Sequence, residues 1–481
     1  MKTVQDLDAY TRYWFERALK WSDARWSDEH NLLTITTDHP RTGRPVQPHI
    51  VRDSVWYAMG LLMRQQDGDV ERALATIEAV LSYQFDEPEA VYHGTFYRYV
   101  GEPHPPTESA VIWKDYDPNW REFICTVFIL LLKDFDALLP APLQDKIRRA
   151  IQLAAEGAFG RKVAAEYTNI SLMSAYLLDY AGAHYARTDW RKYALEQANK
   201  IYALFNRFKT FNEYNSPTYY GVDFYALALW REYGSTPEYR QMGAEMEAEL
   251  WRDTVQFYHA GMRNLCGPYD RSYGMDMTDY LALVGLWMGA VLPADGAPLP
   301  DSDYPFDHAA DYFFMPLVAL VGSKPPADVL PHMQAFQGER MLERTIEPQR
   351  TATAWLSDTL MLGAEADALN PTRTDQFHPA TAHWIAPDGT ICWIRARCET
   401  LVQAVAKPHT LELSSSGNTN YVFEIRVPNP HIDMIEEDKW TLPGMTVHID
   451  RPNTSYGFMH IGDLLQADFE SDAPIKLIFS P

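Results

Sequence analysis

Basic residues are scarce in this 481-residue chain: 42 Lys and Arg stand against 65 Asp and Glu, a formal net charge of −23. Nucleic acid needs a basic footprint, so it is disfavoured as a partner, and an anionic membrane surface is disfavoured for the same reason. Cysteine is equally sparse. Cys125, Cys266, Cys392 and Cys398 form no CxxC pair, which leaves no zinc-site spacing; free thiols in a reducing cytoplasm are the expected state. No apolar run reaches transmembrane length, and the best, Phe123–Leu132, stops at Lys133 and Asp134. The opening residues Met1–Asp8 are not followed by an apolar signal core. HExxH, P-loop, GxGxxG and GxSxG patterns are all missing, so no metal or cofactor is expected.

What is present is an ordinary globular composition, 46% hydrophobic and 22% charged. From Leu7 to Phe336 apolar residues recur at three- and four-residue spacing in about twelve successive stretches, the last of them over 277–291, 308–321 and 329–336. Asp117-Pro118, Thr188-Asp189 and Ser235-Thr236-Pro237 are start signals for three of these helices. Twelve helices with almost no strand signal between them suggest six α-hairpins closed into a ring. After Thr345 the period changes to two, in short runs from Thr351–Leu356 to Ile475–Phe479, with turns at Pro387-Asp388-Gly389 and Ser416-Gly417-Asn418. The expected fold is mainly α with a β domain: an (α/α)6-type toroid over residues 1–345 that carries the active site, then an antiparallel β-sandwich-like domain over 346–481.

The chemistry-bearing residues lie in long polar loops before the predicted helices. The segment 211–223 holds Glu213, Asn215, Tyr219, Tyr220 and Asp223. A Tyr serves as acid or base when a cation or donor lowers its pKa, and Glu213 offers a hydrolytic carboxylate. The segment 266–276 adds Tyr269, Asp270, Arg271, Tyr273 and Asp276, with Arg271 a possible clamp for a sugar carboxylate. In 113–121, Asp117 and Pro118 open a helix whose first turn carries Asn119 and Trp120; Trp113 and Trp120 are candidates for stacking on sugar rings. Asn169 opens another helix, His93 is a possible base, and His49, Arg52 and Asp53 at a further helix start are weaker candidates.

Glu213, Pro217-Thr218-Tyr219-Tyr220 and the run Asp223-Phe224-Tyr225-Ala226-Leu227 are similar to the Glu-Gly-Pro-Tyr-Tyr-like segment of the toroid-plus-sandwich polysaccharide lyases of alginate and heparinase type. Upstream, Thr168-Asn169-Ile170-Ser171 stands where that family carries its Asn motif, with Ile170 in the place of the family's His. The resemblance implies a carbohydrate-active enzyme with a catalytic Tyr and a carbohydrate substrate.

For β-elimination on a uronate sugar, Asn169, Asn215 or Arg271 would neutralise the carboxylate, and Tyr220, Tyr219 or His93 would take the C5 proton. Tyr220 is the first choice, with Arg271, Asn169 or Asn215 expected within hydrogen-bonding reach of it or of a sugar carboxylate placed beside it. The alternative in the same toroid is an inverting glycoside hydrolase. There Glu213 or Asp223 is the acid and Asp270 or Asp276 activates water, the carboxyls about 6.5–9.5 Å apart. A non-catalytic carbohydrate-binding protein would show aromatic platforms without a converging acid–base set.

Overall fold

The computed structural model describes residues 1–38, 45–301, 305–367, 376–398, 400–451 and 455–481. Among them the helical part comprises α1 (Ala9–Asp23), α2 (Arg52–Arg64), α3 (Asp69–Leu81), α4 (Trp120–Asp134), α5 (Ala141–Arg161), α6 (Thr168–His184), α7 (Thr188–Phe208), α8 (Tyr219–Tyr233), α9 (Pro237–Gln256), α10 (Leu283–Gly289), α11 (Met315–Val321) and α12 (Leu330–Gln334). Helices α2, α4, α6 and α8 are buried over nearly their whole circumference. A helix that is apolar all round must be enclosed. They stand side by side in that order, while α3, α5, α7 and α9 return along the outside, each packed on the inner helix before it. Helix α10 packs on α8, α11 touches both α8 and α2, and α1 backs α11, which closes the ring.

The ring axis is filled. Phe314 sits edge-on to Trp56 at 5.0 Å and to Tyr225 at 5.4 Å, and the Tyr225 hydroxyl donates to Thr126 Oγ1 at 3.1 Å. Because the inner helices alternate with outer ones, all four run in the same direction. Their N-termini, at Arg52, Trp120, Thr168 and Tyr219, therefore share one rim.

The late helices are shorter than their periodicity predicts. The 277–291 stretch turns helical only at Leu283, after Asp276 has bonded the backbone N–H and hydroxyl of Thr278 in a local turn. The 308–321 stretch divides into a 3₁₀ segment, Ala309–Phe314, and α11, with Pro316 near the junction. Proline has no N–H to continue a helix but suits its first turn.

The C-terminal part is one hydrogen-bonded antiparallel sheet of thirteen strands among the described residues. The strands Arg340–Glu347 and Leu360–Asp367 lie outside the runs expected from alternation. The sheet doubles over. Trp440, on the strand at one end of the order, meets Phe423 at 5.8 Å and Phe469 at 6.4 Å, on strands near the other end. Strand Thr419–Arg426 alternates buried and half-buried residues, as a sheet with one wet face should. Arg350–Leu356 and Ala380–Ile385 are instead buried on both faces, and the 266–276 loop lies on the second strand, with Gly267 against Thr381 and the Met275 carbonyl bonded to His383.

That loop lies close on the sheet. Tyr269 and His378 exchange backbone bonds of 3.2 and 2.9 Å, and Ser272 donates its N–H to the Gln376 carbonyl at 3.0 Å. Gly363 permits the approach: a Cβ there would stand 1.8 Å from the Gly267 carbonyl oxygen. Arg350 makes the central contact. Its Nη2 reaches both Asp270 oxygens at 2.9 and 2.7 Å, Nε donates to Glu365 at 3.0 Å, and Nη1 donates to the Asn212 carbonyl at 3.0 Å. The Arg350 and Asp270 side chains are each 4% exposed. No helix among the described residues is long and apolar enough to cross a membrane.

Removing one partner of such a pair strands the other charge. Arg350→Met is expected to lower stability by about 3–5 kcal/mol, read as a shift of the urea midpoint. A loss below about 1 kcal/mol would show that the pair does not hold the two parts together.

Candidate active site at the helical rim

At the rim, side chains from separate loops and helix ends converge on two residues, Glu213 and Tyr219. Asn169, in the first turn of α6, donates through Nδ2 to Glu213 Oε2 at 2.9 Å. Arg271 Nη1 reaches Glu213 Oε1 at 2.6 Å, and its Nη2 donates to the Tyr219 hydroxyl at 2.5 Å. The Tyr273 hydroxyl stands 2.7 Å from the same Tyr219 oxygen. The Arg271 guanidinium also lies 3.7 Å from the centroid of the Tyr219 ring, and its Nε donates to Gln376 Oε1 of the β domain at 3.1 Å. The Tyr273 ring stacks on His308, centroids 4.0 Å apart.

A second group adjoins it. Asn119 Nδ2 donates to the Tyr167 hydroxyl at 3.0 Å, and Arg161 Nη1 donates to Asn119 Oδ1 at 2.6 Å. Tyr167 is close enough to feel the charges of Glu213, Arg271 and Asp117. Trp120 sits beneath the Arg52 guanidinium at 5.4 Å from its ring centroid. Tyr167 directly precedes α6 in the same segment as Asn169, whereas His308 and Gln376 carry no sequence motif and reach the rim only through tertiary placement.

Burial sets the protonation states. It pushes the Glu213 carboxyl above the usual range, with Arg271 opposing. It raises the Tyr219 phenol, as the Tyr273 neighbour does, again against Arg271. Asp223, one turn below Tyr219, is fully buried with no hydrogen bond to its carboxylate; burial and then the Glu213 charge hold its carboxyl well above the usual range.

Other residues singled out in the sequence are placed elsewhere. The Tyr220 hydroxyl turns into the core, where it pairs with Thr210 Oγ1 at 3.2 Å and lies beside the Asn215 backbone, while Arg271 and Asn169 bond Glu213 instead. Asn215 donates to the Cys266 and Pro268 carbonyls, both at 2.7 Å, and ties the two site loops together. Asp270 accepts from the Tyr214 N–H at 2.9 Å as well as from Arg350. Tyr269 donates to the Leu265 carbonyl, and Asp276 is used in its local turn. His93 is bonded to Glu156 at 3.1 Å and to the Glu87 N–H, away from the cluster. Trp113 is exposed, with φ +70°, in a turn whose carbonyl accepts from Arg98.

The chain belongs to the family described as Domain of unknown function (DUF8769), whose model matches residues 12–323. A second model, Domain of unknown function (DUF8770), matches residues 335–459. No curated protein matches in sequence. Among solved structures the chain is similar to the endoglucanase CelQ from Clostridium thermocellum complexed with cellobiose and cellotriose. Identity is 9% and the TM-score 0.32, over 98% of this chain and 92% of that one. It is likewise similar to a heparinase III (BT4657 gene product), at 9% identity and a TM-score of 0.32, over 98% of this chain and 84% of that one.

Below the rim, Glu122 on α4 is fully buried with neither carboxylate oxygen bonded, and burial pushes it up to about 7. A carboxyl whose folded pKa lies above its unfolded value near 4.3 binds a proton that the unfolded chain has released. Its contribution to stability is present at low pH and is lost as pH rises from about 4 through about 7. Glu122→Gln should therefore be relatively more stable at pH 8 than at pH 4, by about 3 kcal/mol, in paired urea titrations. An equal effect at both pH values would contradict the buried-acid assignment.

Proposed function

We propose that the protein is a carbohydrate-active enzyme that cleaves uronate-containing oligo- or polysaccharide by β-elimination, with Tyr219 as the proton-transfer group. The observation that carries this is the Arg271 guanidinium, whose Nη2 donates to the Tyr219 oxygen, with the Tyr273 hydroxyl 2.7 Å from the same oxygen. The Arg271 charge and N–H favour the phenolate and oppose the burial that disfavours it. In the proposed step the Tyr219 phenolate removes the C5 proton, the C4–O bond breaks as the C4–C5 double bond forms, and the phenol returns the proton to the departing oxygen. Asn169 and Arg271 supply the positive field for the sugar carboxylate, taking it in place of Glu213, whose raised pKa eases its neutralisation.

A second mechanism, inverting hydrolysis with Glu213 as the acid, draws on that same raised carboxyl. It needs a second carboxylate to activate water. Asp270 is bound by Arg350 and the Tyr214 N–H, and Asp276 by Thr278, which favours elimination.

Two measurements test the assignment. Tyr219→Phe should lower turnover at least about 10²-fold with little change in substrate affinity, whereas Tyr220→Phe should stay within a few-fold of the parent protein. Equal activity of Tyr219→Phe and the parent would remove Tyr219 from the chemistry. The reactive form of Tyr219 is deprotonated and its pKa is raised, so kcat/KM should climb as pH rises. It should not level off below the ordinary phenol range of about 10. A profile that falls on the alkaline side instead points to Glu213 as a protonated acid.

A further inference from the structure

Away from the rim cluster, a group of side chains on a small hairpin takes no part in the proposed chemistry. Strands Trp26–Ser27 and Leu32–Thr34 form a small hairpin, and His49–Ile50 adds to its far side, with His49 opposite Thr34. Asn31, at φ +54°, closes the turn in the left-handed conformation that Asn tolerates, so Glu29 and His30 lie at its tip. Leu32 and Leu33 are fully buried, and the Leu33 N–H donates to Ser54 Oγ of α2 at 2.9 Å, which fixes the hairpin to the helix behind it.

The hairpin sets His30 against His49, ring centroids 4.4 Å apart at 66°. His30 Nε2 lies 3.6 Å from Glu29 Oε1, and the Ser27 hydroxyl stands 3.0 Å from His49 Nε2 and fixes that ring's orientation. Glu29, His30 and His49 each offer one ligand atom, and the three atoms lie within 4.8 Å of one another.

We propose that Glu29, His30 and His49 form a binding site for a divalent first-row transition metal, of the zinc, nickel or copper class. Two imidazoles and one carboxylate suit these cations, whereas magnesium and calcium take oxygen ligands. Ligand atoms on a tetrahedral zinc ion stand roughly 3.3 Å apart, given bonds of about 2.0–2.1 Å. Glu29, whose side chain is 76% exposed, is free to swing and close the set. Three protein ligands leave one position for solvent. The ion would tie the hairpin tip to the strand that leads into α2, whose first residue is Arg52. Of the three, only His49 stands out in the sequence, because the other two ligands are adjacent residues on another strand's turn.

The test uses the full-length chain without an affinity tag, stripped of metal and titrated with Zn²⁺ by calorimetry. One saturable site per chain is expected, together with a rise in melting temperature that Mg²⁺ does not produce. The double variant His30→Ala/His49→Ala should lose that binding. Glu29→Gln, an exposed change that spares the fold, should weaken it about tenfold. Co²⁺ in place of Zn²⁺ should give visible ligand-field bands in the parent protein and none in the double variant. Absence of saturable Zn²⁺ binding, or binding unchanged by both sets of substitutions, would overturn the site.

Discussion

The Arg350–Asp270 ion pair is the contact on which the rim depends. Asp270 is held by the β domain, and its neighbour Arg271 is the residue that reaches Glu213 and Tyr219. The same pair anchors the other site loop. Arg350 takes the Asn212 carbonyl and Asp270 takes the Tyr214 N–H, so Glu213 is presented between two fixed residues. A buried pair of this kind recovers its desolvation cost only when every lone pair and proton is used, and Arg350 also bonds Glu365 and Glu347. The β domain is thus a positioning element. It supplies Gln376 to Arg271 directly and holds the 266–276 loop by strand-like backbone bonds.

The ring supplies the other half of the geometry. Four parallel inner helices bring Arg52, Asn119, Asn169 and Tyr219 to one end, while aromatic packing of Trp56, Tyr225 and Phe314 fills the axis beneath. Their N-termini add partial positive charge at that end. For the anionic sugar proposed as substrate, this local field would act against the chain's net charge of −23.

Much of this fold can be read from hydrophobic period. Helices such as α4 and α7 follow their apolar spacing within a few residues. The period fails where residues are buried on every side or where proline resets the chain. Leu360–Asp367 is rich in Ala, Gly and acidic residues and does not alternate, and Pro316 divides what reads as one helix. At the site, the 211–223 and 266–276 segments stand out by composition, but adjacent tyrosines cannot be told apart. Successive helix residues point about 100° away from each other, so Tyr219 meets the rim and Tyr220 the core. Asp270 reads as an acid beside a clamp, and only the β domain's Arg350 shows what it binds. His308 and Gln376 belong to no motif.

The most direct measurement is product analysis on uronate-containing glycans with the purified full chain. Ultraviolet absorbance of an unsaturated uronate and the appearance of reducing ends are followed in parallel. Elimination at the rim predicts that the chromophore rises in step with new reducing ends. New ends without the chromophore, or no cleavage of any uronate glycan, would contradict it.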